Sequence, residues 1–597
     1  MIIDHGEYSV LAMRQHTAER QLSADRGQIF SSDGFPLVLN APSYLLFAVP
    51  LEMDDKDAVV EVVKDLVVNE IKAADVKRDK EDDLLKFEDD EKYPLTWPII
   101  YRNAKRTLLD YEDWEKDLSD QVGEQLESLL SDDANQFVQL VADLDQSQKD
   151  TIEALEIPGV YFQQAYKRLY PESEMAAPVL GFVGKTSLGE DQGYFGLEGY
   201  YNGYLSGQVG YELIERDVEG KRIPFGNSKL NTPSHGKDIV VTIKREMQYL
   251  LDKKLNEGVK KYGAKSGTAI LIDPYSGAIW AMSSSPSFNP QYWTEELNGE
   301  GDVSRITQFR NAAVGSNYEP GSVMKPVTMA MAINEDLVTP NTIYHDDGPV
   351  VYNGFPVRTW DNKYHGEITM TQILQLSDNT GAAWVGHQVG FEKFERYVND
   401  FRFGQLLGID LQGEEAGIVR DSSTWRDIDL ANMSFGQGIS VTPLQITAAF
   451  TTLINGGFVY KPYIVEEIKV SDDKVVQTQP TILSHPITDE TSEQIRYMLK
   501  KVVTDGEFKW FVKQSGMDIY SVGGKTGTAQ IPIDGEYDPH KTNTTFIGFG
   551  PVEDPKFVMY MMLSEPTTST YSADTVVPMW METARELMNY FSIRPEI

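Results

Sequence analysis

None of the 597 residues is cysteine. Disulfides, thiolate metal centres and a cysteine nucleophile are therefore excluded. The compartment stays open, because oxidising compartments permit disulfides without requiring them. Basic residues are scarce beside acidic ones, 54 against 91, for a formal charge of −37. A protein that grips nucleic acid needs a basic face to neutralise phosphates, so that class is set aside, and a solvated acidic surface accounts for the charge. No run approaches the ~18–20 apolar residues of a membrane span, and no signal-peptide pattern follows Met1-Ile-Ile-Asp4. The expectation is a soluble protein, or one whose anchor lies outside the sequence as given. Histidine is rare, with 8 in the chain, and no G-x-S-x-G or H-E-x-x-H string sets up a competing mechanism.

What is present is an ordinary globular composition, 41% hydrophobic and 24% charged. The chain is too long for one core, so two or more domains of ~100–300 residues are expected. Residues 1–25 are polar and read as helix or linker. Ser32-Asp33-Gly34 is a turn signal leading to a short strand, Pro36–Leu39. Residues 51–150 hold 29 acidic and 13 basic residues. Apolar residues recur there at helical spacing, as in Val59, Val60, Val63, Leu66 and Val67, and again in Leu126, Leu129 and Leu130. This reads as a helical acidic insertion, and the charge run at 77–91 as a solvated face. The glycines of 158–235 fit neither phosphate-binding pattern and read as turns.

From residue 236 onward the signals change. Ile239–Ile243 is a β run, followed by a helix at Glu246–Val259. Thr268–Asp273 and Gly277–Met282 read as one hairpin, and Thr544–Gly548 with Phe557–Leu563 as another. Between them the patterns are mostly helical. Strands at both ends of a domain with helices between imply an antiparallel sheet with helical layers, an α+β fold.

Three strings carry chemistry, in the order Ser322-Val-Met-Lys325, Ser377-Asp-Asn379 and Lys525-Thr-Gly527, spaced 55 and 148 residues apart. Pro320-Gly321 would turn the chain into a helix whose first turn holds Ser322 amid free N–H groups. Positions i and i+3 share a helix face, which brings the Lys325 amine within reach of the Ser322 hydroxyl. A serine hydroxyl needs such a base, and a lysine is one only when burial or nearby positive charge lowers its pKa. Ser377 can pass a proton to a leaving amine, and the Asn379 amide can both donate to and accept from a substrate peptide group. Lys525, Thr526 and Thr528 on a strand make a compact carboxylate receptor, with Gly527 leaving room for a substrate backbone. Each string alone has an ordinary explanation: an exposed serine and lysine on a helix, a capping turn, and an edge strand protected by lysine. The ordered set does not, because it marks penicillin-recognising serine enzymes.

The sequence resembles a class B penicillin-binding protein, a cell-wall D,D-transpeptidase. Arg26-Gly-Gln-Ile29 with Asp33-Gly34 is similar to the start of that family's pedestal, and Gly196-Leu-Glu198 to a later signature. Tyr318-Glu-Pro-Gly-Ser322, Gly408–Leu411 with Gly413-Glu414, Ser434-Phe-Gly-Gln-Gly438 through Gln445, and Asn455-Gly-Gly457 are also similar. The resemblance implies a linker at 1–25 after a membrane anchor, a pedestal at 26–235 with an acidic insertion at about 51–155, and a transpeptidase domain at 236–597.

It further implies that Ser322 attacks the penultimate D-Ala of a stem peptide with Lys325, Ser377, Asn379 and Lys525 assisting, and that Thr526, Gly527 and Thr528 bind substrate. The backbone N–H groups of Ser322 and Thr528 form the oxyanion hole. No metal or other cofactor is implied. The implied partners are stem peptides, β-lactam antibiotics, a membrane glycan polymerase and divisome or elongation proteins. The implied place is the outer face of the cytoplasmic membrane, in septal more than side-wall synthesis. A β-lactam sensor or scaffold of the same fold, or a serine β-lactamase, remains as an alternative.

Overall fold

The computed structural model describes residues 17–22, 24–73, 114–132, 137–186, 191–215, 228–293, 309–471, 474–533 and 536–596. The charge run at 77–91 and residues 1–16 lie outside these.

Strand β1 (Thr17–Leu22) occupies the stretch expected as helix or linker. After it come β2 (Ile29–Phe30) and a long β3 (Pro36–Ala48), of which the sequence suggested only the first residues. Helices α1 (Lys56–Ala73) and α2 (Trp114–Leu130) fall in the acidic segment, as the apolar spacing predicts. Val59, Val60, Val63, Leu126 and Leu130 are buried together, with Leu66 and Leu129 packed against them. The segment is not wholly helical, since β4 (Val138–Leu144) runs antiparallel to β3. Its alternation is masked by the consecutive apolar residues Leu140 and Val141, both fully buried. β5 (Val160–Leu169) covers the other edge of β3. β6 (Gly210–Glu215) and β7 (Ser228–Asn231) complete a small sheet with β1, in the order β1-β6-β7.

One buried carboxylate ties this half together. Glu198 is fully buried and accepts from the Arg26 Nε at 2.7 Å and the Arg168 Nε at 2.7 Å. Arg168 also donates to Asn40 Oδ1 on β3 at 2.7 Å. The glycines nearby are there for crowding. A Cβ on Gly193 would lie 1.9 Å from the Glu198 carbonyl, so no other residue fits.

The second half opens with β8 (Asp238–Val241) and α4 (Arg245–Tyr262), then β9 (Ser266–Ile272) and β10 (Ile279–Ser285), the first expected hairpin. A 3-10 turn, Gly321–Met324, runs into α5 (Lys325–Asn334). α6 (Asn379–Val389) and α7 (Pro443–Thr452) follow, the latter with a Thr442–Gln445 capping box. Next come β11 (Val465–Ser471), β12 (Lys474–Gln477) and α8 (Asp489–Asp505). β13 (Gly523–Ile533), β14 (Glu536–Gly550), β15 (Phe557–Ser564) and α9 (Val576–Tyr590) close the chain. The central sheet is antiparallel in the order β10-β9-β15-β14-β13, which leaves β13 at an edge. Trp580 of α9 is fully buried on it and donates to the Met559 carbonyl at 2.8 Å. Burying an indole contributes roughly 5 kcal/mol of transfer free energy as an upper estimate. The fold is the expected α+β arrangement.

A second sheet runs β12-β11-β8-β2-β3-β4, crossing the boundary the sequence suggests at 235/236. β8 pairs parallel with β2 and antiparallel with β11. Ile29, Leu37 and Val38 accordingly belong to the same core as Ile239 and Trp580, whereas the acidic segment has a small core of its own.

Burial works against the Glu198 charge, but the two guanidiniums outweigh it and hold the carboxyl below its ordinary 4.5. A depressed pKa contributes stability above pH 4.5, lost as pH falls through the folded value. Glu198→Ala should destabilise by about 3–5 kcal/mol in chemical denaturation at pH 7, leaving two buried guanidiniums without their counter-charge. The gap between variant and wild type should shrink as the pH is lowered below the carboxylate range.

Candidate active site

Gly321 holds φ at +59°, a left-handed turn that a side chain would strain. Its N–H donates to the Gly436 carbonyl at 3.0 Å. Gly436 is itself left-handed, and a Cβ on it would lie 2.1 Å from the Gly321 oxygen. This contact accounts for the first glycine of Ser434-Phe-Gly-Gln-Gly438. The 3-10 turn then carries Ser322, half-buried, and Pro326 sits in the first turn of α5, where its missing N–H costs nothing.

Lys325 and Lys525 are both buried, each 1% exposed, and both point at Ser377. The Lys325 Nζ donates to the Ser377 carbonyl at 2.5 Å and to Asn379 Oδ1 at 2.7 Å, and lies 3.2 Å from Ser377 Oγ. The Lys525 Nζ donates to the same Oγ at 3.0 Å, and more loosely to the Thr526 carbonyl and Oγ1 at 3.4 and 3.3 Å. Ser377 takes φ of +52°, a strained setting for serine that holds its hydroxyl between the two amines. Asp378 accepts from the Gly381 N–H, so the expected capping turn is present as well. Asn379 Nδ2 donates to the Arg358 carbonyl at 2.9 Å, which fixes the amide with its oxygen toward Lys325.

The Ser322 hydroxyl has no hydrogen-bond partner among the described residues. The contact expected from helical spacing is replaced, because the turn is 3-10 through Met324 and the Lys325 amine is drawn to Ser377 and Asn379. Gly527 also differs from expectation. A Cβ there would come 3.0 Å from both the Pro320 carbonyl and Val323 Cγ1, so the vacancy is filled by the Ser322 turn and not by open cleft. Of the expected carboxylate receptor, the Thr528 hydroxyl is engaged with Ser572 Oγ at 2.9 Å, and the Lys525 amine with Ser377 Oγ and Thr526.

Burial, and then the positive charge of Lys525, push Lys325 well below its ordinary 10.5. Burial pushes Lys525 down to about 8, against the opposing charge of Glu507. A neutral Lys325 has two N–H groups, which the Ser377 carbonyl and Asn379 occupy, and one lone pair. Since Lys525 donates to Ser377 Oγ, the Ser377 proton is free to point at that lone pair. A proton path therefore links the two lysines through one hydroxyl.

Several residues that meet here were not among the site residues expected from the sequence. Glu319 accepts from the Gly438 N–H at 2.8 Å and the Tyr537 hydroxyl at 2.9 Å, pinning the β13–β14 hairpin beside the Ser322 turn. Asp346, fully buried, accepts from the Thr380 hydroxyl at 2.9 Å behind Asp378. Trp360 and Tyr571, both exposed, meet edge to face at 5.7 Å. Their local sequences read as loop, and only tertiary placement brings them in. Among the described residues no cluster of carboxylates or histidines is arranged to hold a metal ion.

The penicillin binding protein transpeptidase domain family matches residues 267–586, and the penicillin-binding protein dimerisation domain family matches residues 21–241. Stage V sporulation protein D of Bacillus subtilis is 35% identical over 448 residues, 74% of this chain and 67% of the relative. The probable peptidoglycan D,D-transpeptidase PenA of Neisseria meningitidis is 26% identical across 96% of this chain and 86% of its own. Among solved structures, penicillin binding protein 2X from Streptococcus thermophilus shares the fold at TM-score 0.72 and 21% identity, over 96% of this chain and 80% of that one.

Lys525→Ala should raise the Lys325 pKa by removing the neighbouring positive charge, while burial keeps it below 10.5. Titration of selectively labelled lysine side chains by NMR reads this directly. An unchanged Lys325 pKa in the variant would mean that burial alone sets it.

Proposed function

The chain belongs to the penicillin-binding protein family, and from that premise we propose that it is a peptidoglycan D,D-transpeptidase acting through an acyl-enzyme on Ser322. The observation that carries the reading is the pair of buried lysines converging on the Ser377 hydroxyl beside an unengaged serine. Ser322 Oγ attacks the penultimate D-Ala carbonyl, and its proton passes to the neutral Lys325 amine once that amine turns its lone pair from Ser377 toward the serine. Negative charge on the carbonyl oxygen is met by the N–H groups of Ser322 and Thr528. Collapse breaks the peptide bond, and the departing D-Ala amine takes its proton by way of Ser377. The amine of a second stem peptide then attacks the ester and gives a proton to Lys325, which hands it to Ser322 Oγ as the ester bond to that oxygen breaks. Lys525 and Thr526 hold the terminal carboxylate of the donor.

A β-lactamase would need a base for water beside the ester. Lys325 here bonds to Ser377 and Asn379, and no carboxylate hydrogen-bonds it among the described residues, which favours the transpeptidase. The wording of Tyr318–Ser322 and Lys525–Ala529 supports septal synthesis. By the same proposal the catalytic domain is extracytoplasmic and the pedestal meets a membrane glycan polymerase. No helix among the described residues is long and apolar enough to cross a membrane.

Ser322→Ala should abolish covalent labelling by penicillin without changing the melting temperature. A labelled adduct that persists on the variant and maps to another serine would sink the assignment. Acylation by wild type should follow a bell-shaped pH profile. It should rise as Lys325 loses its proton at a depressed pKa and fall as Lys525 loses its charge near pH 8. A flat profile between about pH 5 and 9 contradicts the lysine base.

Amidating the donor's C-terminal carboxylate should slow wild-type acylation about ten- to a hundredfold, the worth of one charge-assisted contact. The same change should matter much less in Thr526→Val. Strict additivity of the two losses would place the carboxylate elsewhere.

A further inference from the structure

Ser572 begins a short 3-10 turn just ahead of α9, is 1% exposed, and sends its hydroxyl between β13 and β14. Its Oγ lies 2.5 Å from the Gly527 carbonyl oxygen, 3.3 Å from the Thr545 N–H nitrogen and 2.9 Å from Thr528 Oγ1. A serine hydroxyl has one proton and two lone pairs. The carbonyl carries no proton, so the short contact fixes the Ser572 proton there. Both lone pairs then accept, one from the Thr545 N–H and one from the Thr528 hydroxyl. The group is saturated, and the Thr528 proton is committed to it.

The wedge also fixes a backbone direction. Gly527 and Thr545 lie opposite each other in the ladder, and among the described residues β13 has no partner but β14. One oxygen reaches both the Gly527 carbonyl and the Thr545 N–H, so that carbonyl points toward β14. In a planar trans peptide the C=O of one residue and the N–H of the next point opposite ways. The Thr528 N–H therefore faces the free edge of β13. The Thr528 carbonyl is on that edge as well, 3.4 Å from where a Gly321 Cβ would stand, next to Ser322.

We propose that Ser572 is a positioning residue of the oxyanion hole, binding the carbonyl of the Gly527–Thr528 peptide whose N–H meets the developing charge. The bond acts twice. It holds the peptide plane with the N–H aimed at the cleft, and it polarises the amide, since a hydrogen bond at a carbonyl strengthens donation by the same unit's N–H. The role rests on the acyl-transfer reading above and adds to it a residue from outside the three motifs.

The test compares wild type, Ser572→Ala and Ser572→Cys, each acylated by a β-lactam carrying a 13C-labelled carbonyl whose adduct persists. Infrared difference spectra read the ester C=O stretch, which falls in frequency when oxyanion-hole donors polarise it. Ser572→Ala should move the band to higher frequency and slow the acylation step roughly three- to tenfold, with the preceding dissociation constant changed less than about twofold. Ser572→Cys, which fills similar space with a weaker donor, should fall between the two, and it supplies the reading alone if the alanine variant does not fold. An unmoved band, or a loss confined to the dissociation constant, overturns the proposal. Absence of any adduct on wild-type Ser322 would instead overturn the acyl-transfer reading, so the two failures are distinct.

Discussion

Two lysine side chains without solvent, sharing one serine hydroxyl, are the constraint around which the catalytic half is organised. Desolvating an ammonium is unfavourable by several kcal/mol, and two that face each other repel as well. The chain meets that demand by holding the Lys325 pKa well below its ordinary value and giving its amine a carbonyl and an amide oxygen as acceptors, while burial pushes Lys525 down to about 8. The left-handed Ser377, the capped start of α6 and the Arg358 carbonyl behind Asn379 all serve that arrangement. Reactivity here comes from burial, and the three motifs are the points at which the fold delivers it.

The same half shows how far backbone crowding can substitute for side-chain contacts. Gly321, Gly436 and Gly527 sit where the Ser322 turn, the 434–438 loop and the edge strand approach within van der Waals reach. None of them reaches toward a ligand, yet each determines where Ser322 stands. Gly527 in particular packs against the chain's own Pro320 and Val323.

The sequence made the hairpins, the helical faces of the acidic segment and the three motifs readable, because each rests on a local period or a local turn. It misled where the answer depended on distant partners. Thr17–Leu22 has no alternation and becomes a strand only by pairing with 210–215. Leu140 and Val141 hide β4 because both are buried. The Ser322–Lys325 contact was inferred from ideal helical spacing, and the 3-10 turn together with the pull of Ser377 and Asn379 redirected the amine. Glu319 stood in a string the sequence singled out, but its hold on Gly438 and Tyr537 did not show there, and Ser572 lay outside local reasoning altogether.

The sheet that crosses residue 235 has a mechanical consequence. Strands from both halves share one ladder and one core, so that part of the N-terminal half moves with the catalytic domain as a single rigid block. The acidic segment is the part with a separate interior, joined to the block through the continuous strand β3. Force applied to that segment therefore reaches the block through β3 and β5, which are paired with each other over Leu39–Ala48 and Val160–Leu169. Such a joint resists sliding better than it resists peeling, which makes the segment a stiff handle on the catalytic block.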